Sequence, residues 1–386
     1  MSASGQDPAS AGALHTLRTA ITVSLLLLIF LGGVGGMGDG FKLLGRDILE
    51  GFFAVTSNPL MALMVGLLAT TLVQSSSVTT SMVVGLVAAP DNPLPLANAV
   101  PMIMGANIGT TVTNTLVSLA HIGRKDEFKR AFGVATCHDF FNFLAVAVLL
   151  PIEIATGFLQ HTAEHIAAAV GPSGGVTYSS PLKGLLSLVI APAHALAESL
   201  FASPVAQGSV LILASALMIF YALAMLVRTL RGAMSGKAHS LIQAALGKHG
   251  LISIGIGMLI TMAVQSSSIT TSLLVPLGGA GVITVEQAFP VTLGANLGTT
   301  ITAMLASLAT SGANAQAGVT IAVVHVLFNL AGTLIFYPIR AIRLIPVRAA
   351  ERLAGVAAES RKWAIVYVIV LFYVIPGIFA LLDHYL

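Results

Sequence analysis

The chain carries one nine-residue phrase twice. Residues 73–81 read Val-Gln-Ser-Ser-Ser-Val-Thr-Thr-Ser, and residues 264–272 read Val-Gln-Ser-Ser-Ser-Ile-Thr-Thr-Ser. Each polar run interrupts a strongly apolar segment. The flanks of the first copy, 59–73 and 78–89, are each shorter than the ~20 residues a helix needs to cross a bilayer. Lipid offers no partner for polar side chains or freed backbone groups, so such a run persists only where it faces protein or a water-filled site. The pattern predicts a re-entrant helical hairpin in each half of the chain, at 52–90 and at 250–281, with two half-helices meeting at Gln-Ser-Ser-Ser.

Composition sets the class. Of 386 residues, 56% are hydrophobic and 9% are charged, where a soluble domain has about 25% charged. The fold class that follows is an all-α polytopic membrane protein. The net charge of +3 carries no implication of nucleic acid, because most Lys and Arg sit in short runs between apolar segments, as cytoplasmic loops do. The single cysteine, Cys137, excludes an internal disulfide. Residues 1–16 are small and polar and read as a disordered N-terminus. The first apolar run lacks the small-residue cleavage site of a secretory signal.

Taken in order, residues 17–155 form a first repeat, with spans at 17–37, 95–120 and 131–150 around the first hairpin. Phe41, Leu44 and Ile48 share a helical face, so 38–51 reads as an interfacial helix. Residues 156–206 suit an external connecting segment, whose apolar piece 184–202 either dips into the membrane or lies on it. A second repeat, 207–339, has spans at 207–230, 284–309 and 318–339 around the second hairpin. Residues 340–386 are a basic cytoplasmic loop and a last span at 363–383.

Two further blocks recur. Gly105-Ala-Asn107-Ile-Gly109-Thr110-Thr111-Val-Thr113 matches Gly294-Ala-Asn296-Leu-Gly298-Thr299-Thr300-Ile-Thr302, and His138-Asp139-Phe-Phe-Asn142 matches His325-Val326-Leu-Phe-Asn329. The offsets are 191 at Gln74/Gln265, 189 at Asn107/Asn296 and 187 at His138/His325. Counting crossings from a cytoplasmic N-terminus, with the basic loops as guide, the two hairpins enter from opposite sides. That is the inverted-topology plan of many secondary transporters, which places a site near the midplane between the repeats.

No Lys or Arg falls in the middle of any predicted span. An anion there has to be held by neutral donors: the hydroxyls of Ser75, Ser76 and Ser77, those of Ser266, Ser267 and Ser268, and the exposed N–H groups where the half-helices begin. A co-bound Na⁺ would offset the charge, and hard cations take oxygen ligands. Thr110 and Thr113, like Thr299 and Thr302, share a helix face. Gln74, Gln265, Asn107 and Asn296 add amides to the same site, as anion contacts and as oxygen donors. Asp139 is the only carboxylate near the centre of a predicted span, and its counterpart is Val326. It is read as part of a cation site that breaks the symmetry, with proton titration as the rival.

Other rivals remain beside these readings. Ser and Thr in membrane helices also serve packing and back-bonding, and the glycines of the paired blocks also permit close helix contact. His138 and His325 read as hydrogen-bonding to nearby backbone, and Asn142 and Asn329 as pinning broken backbone. An intramembrane serine hydrolase using Ser75–Ser77 and His138 is disfavoured, because nucleophile and base both occur twice where a catalytic triad needs one of each. A passive anion channel is disfavoured by the lack of a continuous basic lining.

These motifs, together with Leu-Leu-Pro-Ile-Glu at 149–153, resemble the type II sodium/phosphate cotransporters over roughly residues 50–380. The resemblance implies a secondary-active, sodium-dependent symporter of inorganic phosphate working by alternating access, and not an enzyme. Phosphate would be held between the two hairpins, and Na⁺, the co-transported ion, near Thr299, Thr302 and Asp139. Transport of another oxyanion, arsenate or sulfate, is the alternative. The partners implied are phosphate, Na⁺ and the lipid bilayer, with no nucleic acid; a homo-oligomer is compatible. The chain lacks the large disulfide-bearing extracellular loop and the further C-terminal span of animal members. That compact form resembles bacterial members, so a multi-pass protein of a bacterial inner membrane, a plasma membrane, is expected.

Overall fold

The structure, a computed structural model, describes residues 8–44, 56–91, 93–170, 183–245 and 250–382. No β-strand occurs among the described residues. Helix α1 (Pro8–Leu44) is unbroken. Residues 38–44 therefore extend the first span and do not form the separate interfacial helix expected there, while 45–51 lie outside the described residues. The polar stretch read as disordered over 1–16 is helical from Pro8 onward; residues 1–7 lie outside the described residues.

Two short helices follow. In α2 (Pro59–Val73), Asn58 caps the start by accepting from Leu60 N at 2.9 Å, and Pro59 occupies the first turn, where its missing N–H costs nothing. The helix ends at Gln74, and α3 (Ser76–Val87) begins two residues later. The expected single span 95–120 is broken: α4 (Leu96–Thr110) gives way at Thr111 to α5 (Val112–Ser118). At the break, Thr110 Oγ1 donates to Ala106 O at 3.0 Å and Thr111 Oγ1 to Ile108 O at 2.8 Å. The matching Thr299 and Thr300 bond back in the same way within the unbroken helix Val285–Ser307, so back-bonding is not by itself the cause.

Helix α6 (Lys125–Thr156) is longer at both ends than the expected span 131–150. At its start, Arg124 donates to Glu127 at 2.8 Å. Helices α7 (Phe158–Val170) and α8 (Lys183–Leu200) occupy the connecting segment. The apolar piece at 184–202 is thus helical, and it packs Val189 and Ile190 onto Gly32 and Gly36 of α1.

The second half repeats the design. After α9 (Pro204–Ala245) come α10 (Gly250–Val264), α11 (Ser267–Ser272) and α12 (Leu274–Gly279). The break at Leu273 has a local cause: Pro276 has no N–H for the carbonyl of Ser272, one turn back. Helix α13 (Val285–Ser307) starts with a capping box, Thr284 with Gln287. It is followed by α14 (Ala315–Phe336), α15 (Arg340–Glu359) and α16 (Lys362–Ile369). A π segment at Val370–Val374 and α17 (Ile375–Leu382) complete the chain. Pro376 leaves Phe372 O without its helical donor, the usual reason for such a bulge.

Among the described residues, five helices are long and apolar enough to cross a membrane: 17–44, 125–156, 204–225, 315–336 and 362–379. Two further helix pairs pack closely. Helix α2 packs against α4, and α10 packs against α13. Both contacts are backbone against backbone, made through glycine. A Cβ on Gly105 would sit 1.9 Å from Leu63 O, and one on Gly66 would sit 2.1 Å from Met102 O. In the second half, a Cβ on Gly294 would sit 2.0 Å from Ile254 O, and one on Gly257 would sit 2.3 Å from Val291 O. The glycines of the paired blocks are therefore packing residues, which lets α2 and α10 deliver their ends to the protein interior.

Candidate functional site

The Gln-Ser-Ser-Ser turns are built alike. Gln74 has φ 58° and Gln265 has φ 56°, the two non-glycine residues with positive φ among those described. A left-handed residue ends a helix and turns the chain. The next serine is extended in both copies (φ −154°) and caps the following helix: Ser75 Oγ accepts from Val78 N at 3.3 Å, and Ser266 Oγ accepts from Ile269 N at 3.4 Å. For a residue with a side chain, the left-handed conformation carries strain. Here the side chain over-determines it. Gln74 Nε2 donates to Thr71 O, and Gln265 Nε2 donates to Met262 O at 2.6 Å. The amide oxygens then accept from one threonine each: Thr113 Oγ1 to Gln74 Oε1 at 3.1 Å, Thr302 Oγ1 to Gln265 Oε1 at 3.0 Å.

Both turns open on one cavity of about 260 Å³. It is lined by Gln74, Ser75, Ser76 and Ser77, by Gln265, Ser266, Ser267 and Ser268, and by an apolar wall that includes Phe220, Leu223 and Ala224 of α9. At about 30 Å³ per water, that is room for a small hydrated solute. Among the described residues, no lysine, arginine or carboxylate is on the wall. All its polar groups are hydroxyls, amides and backbone. Such a set can donate several hydrogen bonds to an oxyanion, or offer oxygen to a hard cation.

The other predicted residues distribute unequally. Thr113 and Thr302 are tied to the turns through the glutamines. Thr302 also receives Ser77 Oγ at 3.4 Å, which joins the first turn to the second half. The hydroxyls of Thr110 and Thr299 bond back to Ala106 O and Ala295 O, at 3.0 Å each. Asn107 and Asn296, expected beside the anion, are not on the cavity wall. Asn296 Nδ2 donates to Asn142 Oδ1 at 2.8 Å, and Asn107 Nδ2 donates to Ile103 O at 3.3 Å, both inside the bundle. Asn142 does pin backbone, donating to Asn107 O at 2.9 Å.

The histidines differ from the backbone-bonding role expected of them. His138 Nε2 lies 2.6 Å from Asn296 Oδ1, and its Nδ1 lies 3.2 Å from Asn114 Nδ2. An amide oxygen faces Nε2 and an amide nitrogen faces Nδ1, so the tautomer protonated on Nε2 fits. Among the described residues, neither ring nitrogen of His325 has a partner. Asp139 is fully buried, and its Oδ2 accepts from Thr115 at 3.0 Å and from Tyr367 at 2.9 Å. The Thr111 hydroxyl also faces this carboxylate, although among the described residues no hydrogen bond of ordinary geometry reaches Oδ1. None of Thr110, Thr113, Thr299 and Thr302 hydrogen-bonds to it. Asn114, Thr115 and Tyr367 escaped the sequence reading. Asn114 and Thr115 continue the paired block without a polar mate in the second half, where Ala303 and Met304 stand, and Tyr367 lies in an otherwise apolar span.

Helices of this length and apolar character define a multi-pass membrane protein, and a small polar cavity lies between them. The chain belongs to the Na⁺/Pi-cotransporter family, whose model matches residues 29–167 and 218–344. It is 33% identical over 437 residues to the sodium-dependent phosphate transport protein 2B of Homo sapiens, covering 91% of this chain and 63% of that protein. The 2A proteins of Rattus norvegicus and Oryctolagus cuniculus are 33% identical over 420 and 449 residues, covering 91% and 97% of this chain and 66% and 70% of theirs. The chain thus spans a little under two thirds of the length of several relatives it matches. No solved structure matches it at a significant level.

Proposed function

We propose that this chain is a sodium-dependent symporter of inorganic phosphate. The single observation that carries the reading is the cavity shared by two Gln-Ser-Ser-Ser turns. It fits a tetrahedral oxyanion, which takes hydrogen bonds from several directions at once, and among the described residues it contains no fixed cation. A dianion held by neutral donors in a low dielectric is poorly compensated. A cation that arrives with it solves the problem, and this is the physical basis of coupling. The relatives' names, sodium-dependent phosphate transport proteins, support both ions.

The phosphate contacts proposed are the six serines and the two glutamines. Asn107 and Asn296 are better read as supports of the turns. Oxygen ligands for Na⁺ are Gln265 Oε1, Thr302 and Ser77 on the cavity side, with Thr299 one turn away. Their first-half mates, Gln74, Thr113 and Thr110, are arranged the same way. Asp139, with a buried oxygen that no hydrogen bond of ordinary geometry reaches among the described residues, belongs to a separate cation position with Thr115 and Tyr367. Asp139→Asn is then expected to raise the Na⁺ concentration for half-maximal uptake, with little change in phosphate affinity at saturating Na⁺. A flattened pH profile with Na⁺ activation intact would make Asp139 a proton carrier instead.

The matching wiring of the two turns supports two structural repeats. The placement of the basic loops supports their opposite orientation, each with a re-entrant hairpin, and alternating access around the cavity. A cysteine at Ser311 should react with an impermeant reagent from outside, and one at Gly236 only from inside, in a Cys137→Ser background. The reverse pattern contradicts the orientation. Uptake of labelled phosphate that follows an imposed Na⁺ gradient tests the function itself.

A further inference from the structure

The two copies of the central polar cluster are not in the same state. In the first copy His138 reaches across to the second half and meets Asn296 Oδ1 at 2.6 Å, while Asn142 accepts from Asn296 Nδ2 at 2.8 Å. Both ends of the Asn296 amide are thereby used. By the offsets of 187 and 189, the matching pair is His325 with Asn107. That bond is not made. Asn107 Nδ2 turns back to Ile103 O at 3.3 Å, and its Oδ1 takes only a 3.4 Å contact from Asn329 Nδ2. His325 is 0% exposed with both ring nitrogens unpartnered among the described residues, and Asn329 Oδ1 is unpartnered as well. Buried polar groups are ordinarily satisfied, and each exception calls for a reason.

We propose that His138 and His325 are positioning residues that work in alternation. His138 holds Asn296 in the conformation described here. When the cavity opens to the opposite side, Asn296 is released and His325 takes Asn107. The inference rests on the inverted-repeat reading above, because an exchange of conformations between two inverted repeats interchanges the surroundings of matching residues. The unmade His325–Asn107 pair is then what the present conformation forgoes, and the His138–Asn296 pair is what the other would forgo.

The histidines act on the cavity through other residues. His138 Nδ1 meets Asn114 Nδ2, and Asn114 Oδ1 lies 2.9 Å from Thr271 Oγ1 and 3.1 Å from Ser272 Oγ. Those hydroxyls sit on α11, the helix that carries Ser267 and Ser268. The first-copy lock is thus wired to the second turn. The mate of Asn114 is Ala303, so the second-copy lock has no such arm. The two conformations differ in stability for that reason, with the His138 arrangement fixing the second turn more firmly.

The test uses the full chain in sealed vesicles, with a reporter cysteine at Ala224 on the cavity wall in a Cys137→Ser background. The ratio of its modification rates by an impermeant thiol reagent, added from one side or the other, reports which way the cavity opens. His325→Leu removes the polar group left unpaired here and should favour the present opening. His138→Leu should disfavour it. The ratio should move in opposite directions in the two variants, by about fivefold or more each, the lower end of usual coupling between sites. Maximal uptake should fall in both while the phosphate KM changes little, and His325→Gln, which keeps a side-chain amide for Asn107, should restore the ratio. If His138→Leu does not reach the membrane, Asn107→Leu should shift the ratio in the direction His325→Leu does. Movement in the same direction, or none, overturns the proposal. If the Ser311 and Gly236 labels fall as expected while the ratio fails to split, only this inference is lost.

Discussion

Alanine at Gly105 or Gly294 is expected to abolish phosphate uptake and to leave little folded protein in the membrane. The added methyl carbon would stand 1.9 Å from Leu63 O in one case and 2.0 Å from Ile254 O in the other. Overpacking a core with one methylene typically costs about 1–3 kcal/mol, because side chains can move aside. Here the obstacle is the carbonyl of a neighbouring helix backbone, so the helices must separate along their length and the cost should exceed about 3 kcal/mol. Separation would also withdraw the end of α2 or α10, and with it the turn that lines the cavity. Gly255→Ala is the control. It lies on α10 only two residues from Gly257, and nothing is within 4 Å of the carbon it adds. It should be silent, or slightly stabilising through helix propensity. The amount of monodisperse protein extracted in mild detergent reads out all three. Normal yields of Gly105→Ala and Gly294→Ala would mean that α2 and α4, and α10 and α13, do not touch as described.

The second large effect lies in the cavity. Ser76 and Ser267 are matching serines, 4% and 3% exposed, on the wall of the same space. Each Oγ can donate to a bound oxyanion, and a hydrogen bond to a charged group is worth about 1.5–3 kcal/mol. Ser76→Ala and Ser267→Ala should therefore each raise the phosphate concentration for half-maximal uptake by roughly ten- to a hundredfold. They are cleaner probes than Ser75 and Ser266, whose oxygens also cap helices. The paired variant should bind too weakly for uptake to be measured. If alanine at Ser76, Ser77 and Ser75 together leaves phosphate affinity unchanged, only one turn holds the anion.

The sequence showed much of the fold because its strongest signals are local. Polar residues inside apolar segments predicted the breaks at Gln74 and Gln265, and helix α2 covers 59–73, the same residues expected of the first half-helix. The repeated order of motifs led to one cavity between the two turns. What escaped has a common cause. The polar partners of Asp139 include Thr115 and Tyr367, and Tyr367 is 228 positions away. No periodicity reports a contact of that range. Asn107 and Asn296 carry the same motif as the threonines beside them, yet their amides point into the bundle and meet Asn329, Asn142 and His138. A helical repeat places residues on a face but does not say whether that face meets the cavity or a neighbouring helix. The break at Thr111 was hidden for another reason: the matching threonines Thr299 and Thr300 have the same sequence pattern and the same back-bonds in α13, which stays whole, so nothing local in the sequence marks it.

Phosphate coupled to Na⁺ through a cavity without a fixed cation is the central claim. It is tested most directly with the purified chain in proteoliposomes, by following labelled phosphate under an inward gradient of Na⁺, K⁺ or choline at matched voltage. The account predicts accumulation above the external concentration with Na⁺ and only background entry with K⁺ or choline. Undiminished accumulation in choline would contradict it, because the serine and glutamine cradle would then be holding the anion without a cation to offset its charge.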